Sequence, residues 1–391
     1  MPRRICIVRQ SSYPACDRAR REAEALRDAG FDVHVISLRA PGERMLDLVD
    51  DVRVFRLPLA RRRAGQARYV FDYTAFFSIA LPTVAKLHLR HRYALVQVNT
   101  MPDFLVFAAL VPKLLGTPVL LDMQEVMPEL YSSKFGLSQD HPLVKFIATQ
   151  ERISAQFADA VITVHEPGKA LLLGRGVRVD SVVMNSPDER FFPRRSSAPP
   201  LKDGELHLVS HGTLLERYGF DTAIRAVGIL RQRFPQVRLR ILGDGEFAPA
   251  LQNLVNELDL RSHVELLGFR PRETIAGLLA QAHVGIAENK IDQFTRLILP
   301  TKLLEYVAVG VPAVVARAPA VTTYFDDSSV KYFRSGDDRD LARGIEELAS
   351  DPEAAASMAE RAASRFLPVY GWEQMKRRYV GLVEELATRD S

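Results

Sequence analysis

Cysteine is scarce: Cys6 and Cys16 are the only two in 391 residues. Two thiols cannot build a disulfide framework or a four-ligand zinc site, so a reducing, cytoplasmic setting is expected. Cys6 lies in an apolar run and reads as a small core residue. An excess of charge of one sign is also lacking. The formal net charge is +4, which gives no field suited to nucleic acid, and no such partner is expected. No uncharged stretch approaches the roughly 20 residues of a spanning helix. The longest apolar segment, 69–89, is interrupted by Asp72, Pro82 and Lys86 and reads as a largely buried helix. The opening MPRRICIVRQ is too short in apolar residues for a signal peptide, which needs roughly 7–15. No HExxH, CxxC, GxSxG or P-loop occurs, and the first strand-to-helix turn, RQSSYPACDRAR, lacks GxGxxG, which argues against an NAD dehydrogenase. No period of about 20–50 residues repeats, so a solenoid is not expected.

What the chain has is alternation. The runs 5–9, 33–38, 52–57, 95–99, 118–123, 160–164 and 181–185 read as strands, with helices over 17–30, 69–90, 103–115, 142–157 and 166–174. Apolar runs without strict alternation, separated by helices, predict parallel sheets covered on both faces. A Pro-, Ser- and charge-rich stretch follows, and then the pattern restarts. Strands are expected at 206–212, 237–245, 264–269, 283–287 and 312–316, with helices from 219, then one ending at about 258, and others near 272–281 and 301–309. This gives an α/β protein of two Rossmann-like, doubly wound domains facing across a cleft. The expected boundaries are 1–193, a linker at 194–204, 205–370, and a last helix at 371–391 that can pack back on the first domain. Ligands of such sheets bind beyond the carboxyl ends of strands.

The stretch LPTKLLEYVAVGVPAVVA, 299–316, carries the most chemistry. A helix begins after Pro300 and stops at Gly310. Free N–H groups at a helix start favour an anionic oxygen, and Thr301 and Lys302 stand there. Glu305, one turn on, suits two neighbouring ribose hydroxyls. The bland alternative is an exposed Lys–Glu pair on a helix. In SHGTLLERYG, 210–219, Gly212 permits close backbone approach and Arg217 is positioned for phosphate, or is simply solvated. Gly243 and Gly245 of GDGE end a strand and open a helix, with service to the turn alone as the alternative. Arg270 stands at another strand end, where it can flank a base.

These segments, with YPACDRARREAEALRDAG and VMNSPDERFF, resemble the GT-B glycosyltransferases of family 4 over nearly the whole chain. The resemblance implies a retaining hexosyltransferase that moves sugar from a nucleotide diphosphate sugar, a UDP-sugar first, to a glycan, lipid-linked or small-molecule hydroxyl. It implies no metal and no other cofactor. The ribose-holding glutamate falls on Glu305, and the family's first motif glutamate falls on Leu297. The usual phosphate Arg and Lys fall on Thr213 and Tyr218, which leaves Arg217 and Lys302 as replacements. In VNTMPDF and LLDMQEVMPELYSSKFG, two positions that hold histidine in relatives hold Asn99 and Gln124. Gln124 can hydrogen-bond a hydroxyl but carries no proton for exchange. The leaving phosphate can take the acceptor's proton in a front-face reaction, so no protein base is required.

Asp122, Glu125 and Glu129 flank Gln124, and any of them can orient an acceptor hydroxyl, Glu129 alternatively pairing locally. His165, beside Glu166, either contacts a ligand or serves a local turn. Asp103 reads as a helix-start residue, and Arg18 and Arg20 as cations facing an anion in the cleft. DDRD, 337–340, shares letters with metal-binding DxD motifs but opens an amphipathic helix, where acids favour the dipole. The basic, aromatic segment 60–73 is a candidate for peripheral contact with an anionic leaflet, or a solvated loop. Two other functions remain open: a catalytically impaired GT-B partner that binds nucleotide or glycan, and a nucleotide-sugar epimerase.

Overall fold

The computed structural model describes residues 3–59, 66–201 and 205–388. Side chains of 66–70 are outside that description, so most of the segment 60–73 named for membrane contact lies outside the described residues. The chain divides into two compact units, Met1–Met184 with Met375–Ser391, and Asn185–Gln374.

The first unit holds eight strands: β1 (Arg4–Ser12), β2 (Asp32–Leu38), β3 (Leu46–Val49), β4 (Val52–Leu57), β5 (Leu95–Asn99), β6 (Val119–Met123), β7 (Ala160–Thr163) and β8 (Ser181–Val182). Their order is β3-β4-β2-β1-β5-β6-β7-β8. All pairs are parallel except the β3–β4 hairpin. Ile5, Cys6, Ile7 and Val8 are wholly buried in succession, as a strand covered on both faces requires. Burial pushes the Cys6 thiol up to about 12, which keeps it a neutral core residue. The order reverses between β1 and β5, where Arg9 pairs in register with Asn99, and Asn99 with Asp122.

The second unit holds β9 (Glu205–His211), β10 (Gln236–Leu242), β11 (Val264–Gly268), β12 (Val284–Ala287), β13 (Ala313–Ala316) and β14 (Lys331–Phe333), all parallel, in the order β11-β10-β9-β12-β13-β14. Leu208, Leu239, Ile241, Ile286 and Val314 from the strands pack with Phe220, Ile224, Leu341 and Ile345 from the helices. Here the order reverses between β9 and β12.

The helices over 142–157, 166–174 and 301–309 run as the sequence predicts. Strands β3 and β14 and the helices Met127–Phe135, Pro319–Thr322 and Pro352–Tyr370 were not anticipated. Four residues, LDLV, are too few for periodicity to separate a strand from a loop. In the first helix Cys16 takes the cap position and Asp17 is the first helical residue. In DDRD, Asp337 caps its helix by accepting from Asp340 N at 2.9 Å, and Asp340 accepts from Arg334 N at 2.7 Å. No His, Cys, Asp and Glu group suited to a metal occurs among the described residues.

Residues 185–201, partly expected as linker, lie with the second unit: Arg195 N donates to Val309 O at 3.0 Å and its guanidinium to Ala282 O at 2.7 Å. The last helix, Trp372–Thr388, joins the first unit from Met375 onward. Met375, Tyr379, Val383 and Leu386 form its buried stripe. The Tyr379 hydroxyl donates to Gln97 Oε1 at 2.6 Å, and Lys376 pairs with Asp28 at 3.2 Å.

Tyr379→Phe leaves the Gln97 oxygen buried and unsatisfied, so urea denaturation should show a loss of about 1–3 kcal/mol. An unchanged midpoint would mean that this hydroxyl does not help to hold the helix.

Candidate functional sites at the strand ends

In the second unit the helix Thr301–Val309 follows Pro300, whose extended backbone leaves the first helical N–H groups unpaired within the helix, and it ends at Gly310 with φ 86°. Tyr306 bolts it to the reversal point. Its hydroxyl, wholly buried, donates to Ile286 O at 3.1 Å and lies 3.3 Å from Val209 O. Gly285 makes room for the ring, since a Cβ there would stand 2.5 Å from it.

The sequence reading gave Lys302 to a phosphate. The structure instead buries it, 6% exposed, and commits its ammonium to Glu288 Oε2 at 2.9 Å and Ser210 Oγ at 3.0 Å. Ser210 donates in turn to Glu288 Oε1 at 2.7 Å, and the ammonium stands 4.4 Å over the Phe220 ring. Glu288 is fully buried at the end of β12, and an isolated carboxylate there would be costly without a cation. Burial pulls the Lys302 pKa below its ordinary value, with Glu288 opposing.

Thr301 is exposed at the first position of the helix. Glu305, one turn on, is partly exposed, and its Oε2 lies 3.0 Å from Nε2 of His211, the last residue of β9. Arg217 is half-buried in the turn Glu216–Tyr218, with its guanidinium 5.9 Å from the Phe294 ring. Among the described residues it has no carboxylate partner. Its turn is pinned by Lys290 N, which donates to Arg217 O at 2.9 Å, and by the Lys290–Asp221 pair at 2.9 Å. Arg270 is exposed beyond β11, its guanidinium turned to Phe269 O at 3.0 Å, and Phe269 itself is 76% exposed. Leu297 is buried in the turn Thr295–Leu297.

Glycines bring these loops together. Gly212 and Gly243 have φ 137° and 138°, and a Cβ on Gly243 would stand 1.8 Å from Gly212 O. Gly245 has the same relation to Leu214 O at 2.2 Å. They therefore do more than turn the chain: they let the loops after β9 and β10 touch.

In the first unit, Asn99 and Asp122 were expected on the acceptor side. Both are wholly buried and consumed by a polar network. Arg18 grips Asp122 with two bonds of 2.7 Å, gives a third to Val183 O at 2.8 Å, and lies 3.0 Å from Glu22. Asn99 Nδ2 donates to Glu22 at 2.7 Å and Asp122 at 2.9 Å, and Gln97 Nε2 donates to Glu22 at 2.9 Å and Asn99 Oδ1 at 3.0 Å. Arg18 therefore serves the interior, and Arg20 pairs with Glu24 at 2.7 Å, so neither is the anion-facing cation expected. Burial and Asp122 push the Glu22 carboxyl up to about 7, against the pull of Arg18.

Gln124 and Glu125 stand half-buried in the loop after β6. Gln124 Nε2 donates to Asp122 Oδ2 at 2.6 Å. His165 caps the helix Glu166–Gly174, its Nδ1 accepting from Gly168 N at 2.8 Å, which is the local turn role. Glu129 pairs with Arg175, which also lies 3.3 Å from Glu151. Asp103 opens a 3-10 turn, Asp103–Ala109, fully buried and with neither carboxyl oxygen hydrogen-bonded; burial and Glu151 push its pKa well above the usual range.

Residues 17–188 match the family described as Glycosyl transferase 4-like domain, and residues 192–365 match Glycosyl transferases group 1. The sucrose-phosphate synthase of Thermosynechococcus elongatus superposes with a TM-score of 0.77 at 18% identity, covering 98% of this chain and 99% of that one. Anabaena HepE in complex with UDP-glucose gives 0.71 at 16%, covering 98% and 99%. The chain has the GT-B fold of glycosyltransferases. Among curated relatives, this GT-B chain is 26% identical over 205 residues to the putative colanic acid biosynthesis glycosyltransferase WcaL of Escherichia coli, 50% of this chain and 48% of that protein. It is 27% identical over 258 residues to a GDP-mannose-dependent phosphatidylinositol monomannoside mannosyltransferase of Mycolicibacterium smegmatis, 65% and 64%. The match therefore spans about half to just under two thirds of those two proteins.

Burial also pushes the Glu151 carboxyl from its ordinary 4.5 to about 7, with Arg175 opposing. Between those values the native protein holds a proton that the unfolded chain has released, so this group's contribution to stability falls as pH rises through that window. Glu151→Gln keeps an oxygen for Arg175 and cannot titrate. Urea titrations should show wild type losing stability relative to the variant from pH 4.5 to 7, and a difference flat across pH would refute the assignment.

Proposed function

We propose that this protein transfers a hexosyl group from a nucleotide diphosphate sugar, a UDP-sugar first, to a hydroxyl of a glycan, lipid-linked or small-molecule acceptor. The proposed reaction retains the anomeric configuration and uses no metal. One observation carries the reading: a helix start after Pro300, with Glu305 one turn on, stands at the carboxyl ends of β9 and β12 where the strand order reverses. Unpaired N–H groups there favour a phosphate oxygen, and a carboxylate accepts from ribose hydroxyls.

Arg217, 5.9 Å from the Phe294 ring and with no carboxylate partner among the described residues, neutralises charge that builds on the departing diphosphate, the kind of electrostatic stabilisation that commonly dominates such catalysis. Lys302 acts from behind, holding the helix start through Glu288, so its ammonium supports the site without touching phosphate. Thr301, Gly212 and Gly243 line the approach to the diphosphate, and Arg270 flanks the base. In the first unit, Asp122 accepts only, so Gln124 must turn its amide N–H toward it and its Oε1 away. That oxygen suits a sugar hydroxyl, and Glu125 suits an acceptor hydroxyl. The glycosyltransferase names of the relatives support the reading. The UDP-glucose of HepE supports UDP, while the mycobacterial relative makes GDP-mannose the first rival donor.

No helix among the described residues is long and apolar enough to cross a membrane. Contact of segment 60–73 with a leaflet and a cytoplasmic setting belong to the proposal. A second reading, a nucleotide-binding GT-B protein without turnover, is favoured by Asn99 and Gln124, which are tied to Asp122 and have no proton to exchange.

Calorimetry with UDP, GDP and their sugars tests the donor. Binding should weaken roughly tenfold or more in both Glu305→Ala and Arg217→Ala, a loss of about 1.4 kcal/mol or more. Release of nucleoside diphosphate with acceptor should survive EDTA, and NMR should find the donor's anomeric configuration in the product. Unchanged binding in Glu305→Ala would overturn the site, and binding without turnover over a broad panel would select the second reading.

A further inference from the structure

His211 Nε2 and Glu305 Oε2 are both buried polar atoms, 3.0 Å apart, and neither makes a hydrogen bond. Proximity without alignment leaves a donor and an acceptor side by side, each with unspent capacity. Such orphans are rare in folded proteins, because a buried polar atom left unpaired costs about 1–3 kcal/mol. The pair is held rigidly. His211 ends β9 and is 7% exposed; its ring meets the Tyr306 ring edge-on, 5.7 Å between centroids at 87°. Tyr306 neighbours Glu305 in the helix and is itself bonded to Ile286 O. The His211 ring is thus packed in place beside the Glu305 carboxylate.

We infer that His211 is a ribose-recognition residue that completes the diol grip of Glu305. The inference rests on the nucleotide-sugar reading of this site. A carboxylate only accepts, so Glu305 alone satisfies the two hydroxyl protons of a vicinal diol and leaves the hydroxyl oxygens without a donor. His211, with its proton on Nε2, donates to one of those oxygens while that hydroxyl donates to Glu305. One hydroxyl then acts as donor and acceptor at once, and both orphaned atoms gain a partner. Ligands that lack a hydroxyl at this point leave the pair unsatisfied, which makes His211 a determinant of ribose over deoxyribose.

The ligand that fits is a nucleoside diphosphate with both ribose hydroxyls. Calorimetry should compare UDP with its 2′-deoxy and 3′-deoxy forms on wild type, Glu305→Ala, His211→Phe and His211→Gln. Wild type should prefer UDP over at least one deoxy form. His211→Phe should cut that preference by about three- to tenfold while binding the deoxy form as wild type does. His211→Gln, which keeps an N–H near the same point, should restore part of it. If His211→Phe does not fold, as judged by its melting curve, His211→Met fills similar space without a donor and takes its place.

Equal weakening of UDP and its deoxy forms would mean a purely structural role and would overturn the inference. A full ribose preference in His211→Phe alongside its loss in Glu305→Ala would overturn it too, with the donor site left standing. Failure of wild type to bind any nucleoside diphosphate or its sugar would sink the donor reading itself, and the inference with it.

Discussion

The buried carboxylate of Glu288 sets the terms for the second unit. It lies directly after β12 and is fully buried, so a cation must come to it, and the cation is Lys302. Lys302 is the second residue of its helix, so the ion pair fixes where that helix starts relative to the sheet. Tyr306, one turn later, repeats the attachment through its hydroxyl. The two anchors hold the helix start, and with it the leading N–H groups and the backbone of Glu305, against the sheet. A buried pair of this kind is weak evidence for stability, because desolvation offsets most of the attraction. Its value here is geometric.

The loops around that helix depend on a second constraint, backbone contact. Gly219 has φ 72°, and a Cβ on it would lie 1.9 Å from Glu288 O. Gly243 and Gly245 let the loop after β10 touch the loop after β9. The loop after β12 in turn carries Lys290 and Phe294, which pin and stack the turn bearing Arg217. The chain of dependence runs from one carboxylate through a helix start and three close approaches to the guanidinium of Arg217.

The first unit uses the same logic with more members. Asp122 Oδ2 accepts from Arg18, Asn99 and Gln124, and because it can only accept, it orients every amide around it. Asn99 turns its oxygen to Gln97, and Gln97 turns its own oxygen to Tyr379 of the final helix. The Asp122 carboxylate and the Asn99, Gln97 and Gln124 amides are all hydrogen-bonded, which favours one arrangement, and the helix from the far end of the chain is part of it.

Much of this was legible in the residues taken in order. Alternating apolar runs and helix-period segments specified two parallel sheets, because burial on both faces leaves that signature in any strand that has it. Pro300 before and Gly310 after a helix marked its ends, and Glu305 follows one turn into it. What the sequence left undetermined was the direction of each charged side chain. Lys302 and Arg18 read as ligand-facing cations, yet each is spent inside the protein. Arg18 has one partner a turn away, Glu22, but the others lie beyond local reach: Glu288 is 14 positions and Ser210 92 from Lys302, Asp122 is 104 from Arg18, and Tyr379 is 282 from Gln97. Local rules reach three or four residues along a helix and two along a strand. Which buried charge meets which cation is decided only when the sheets assemble, since solvation is lost there and nowhere earlier.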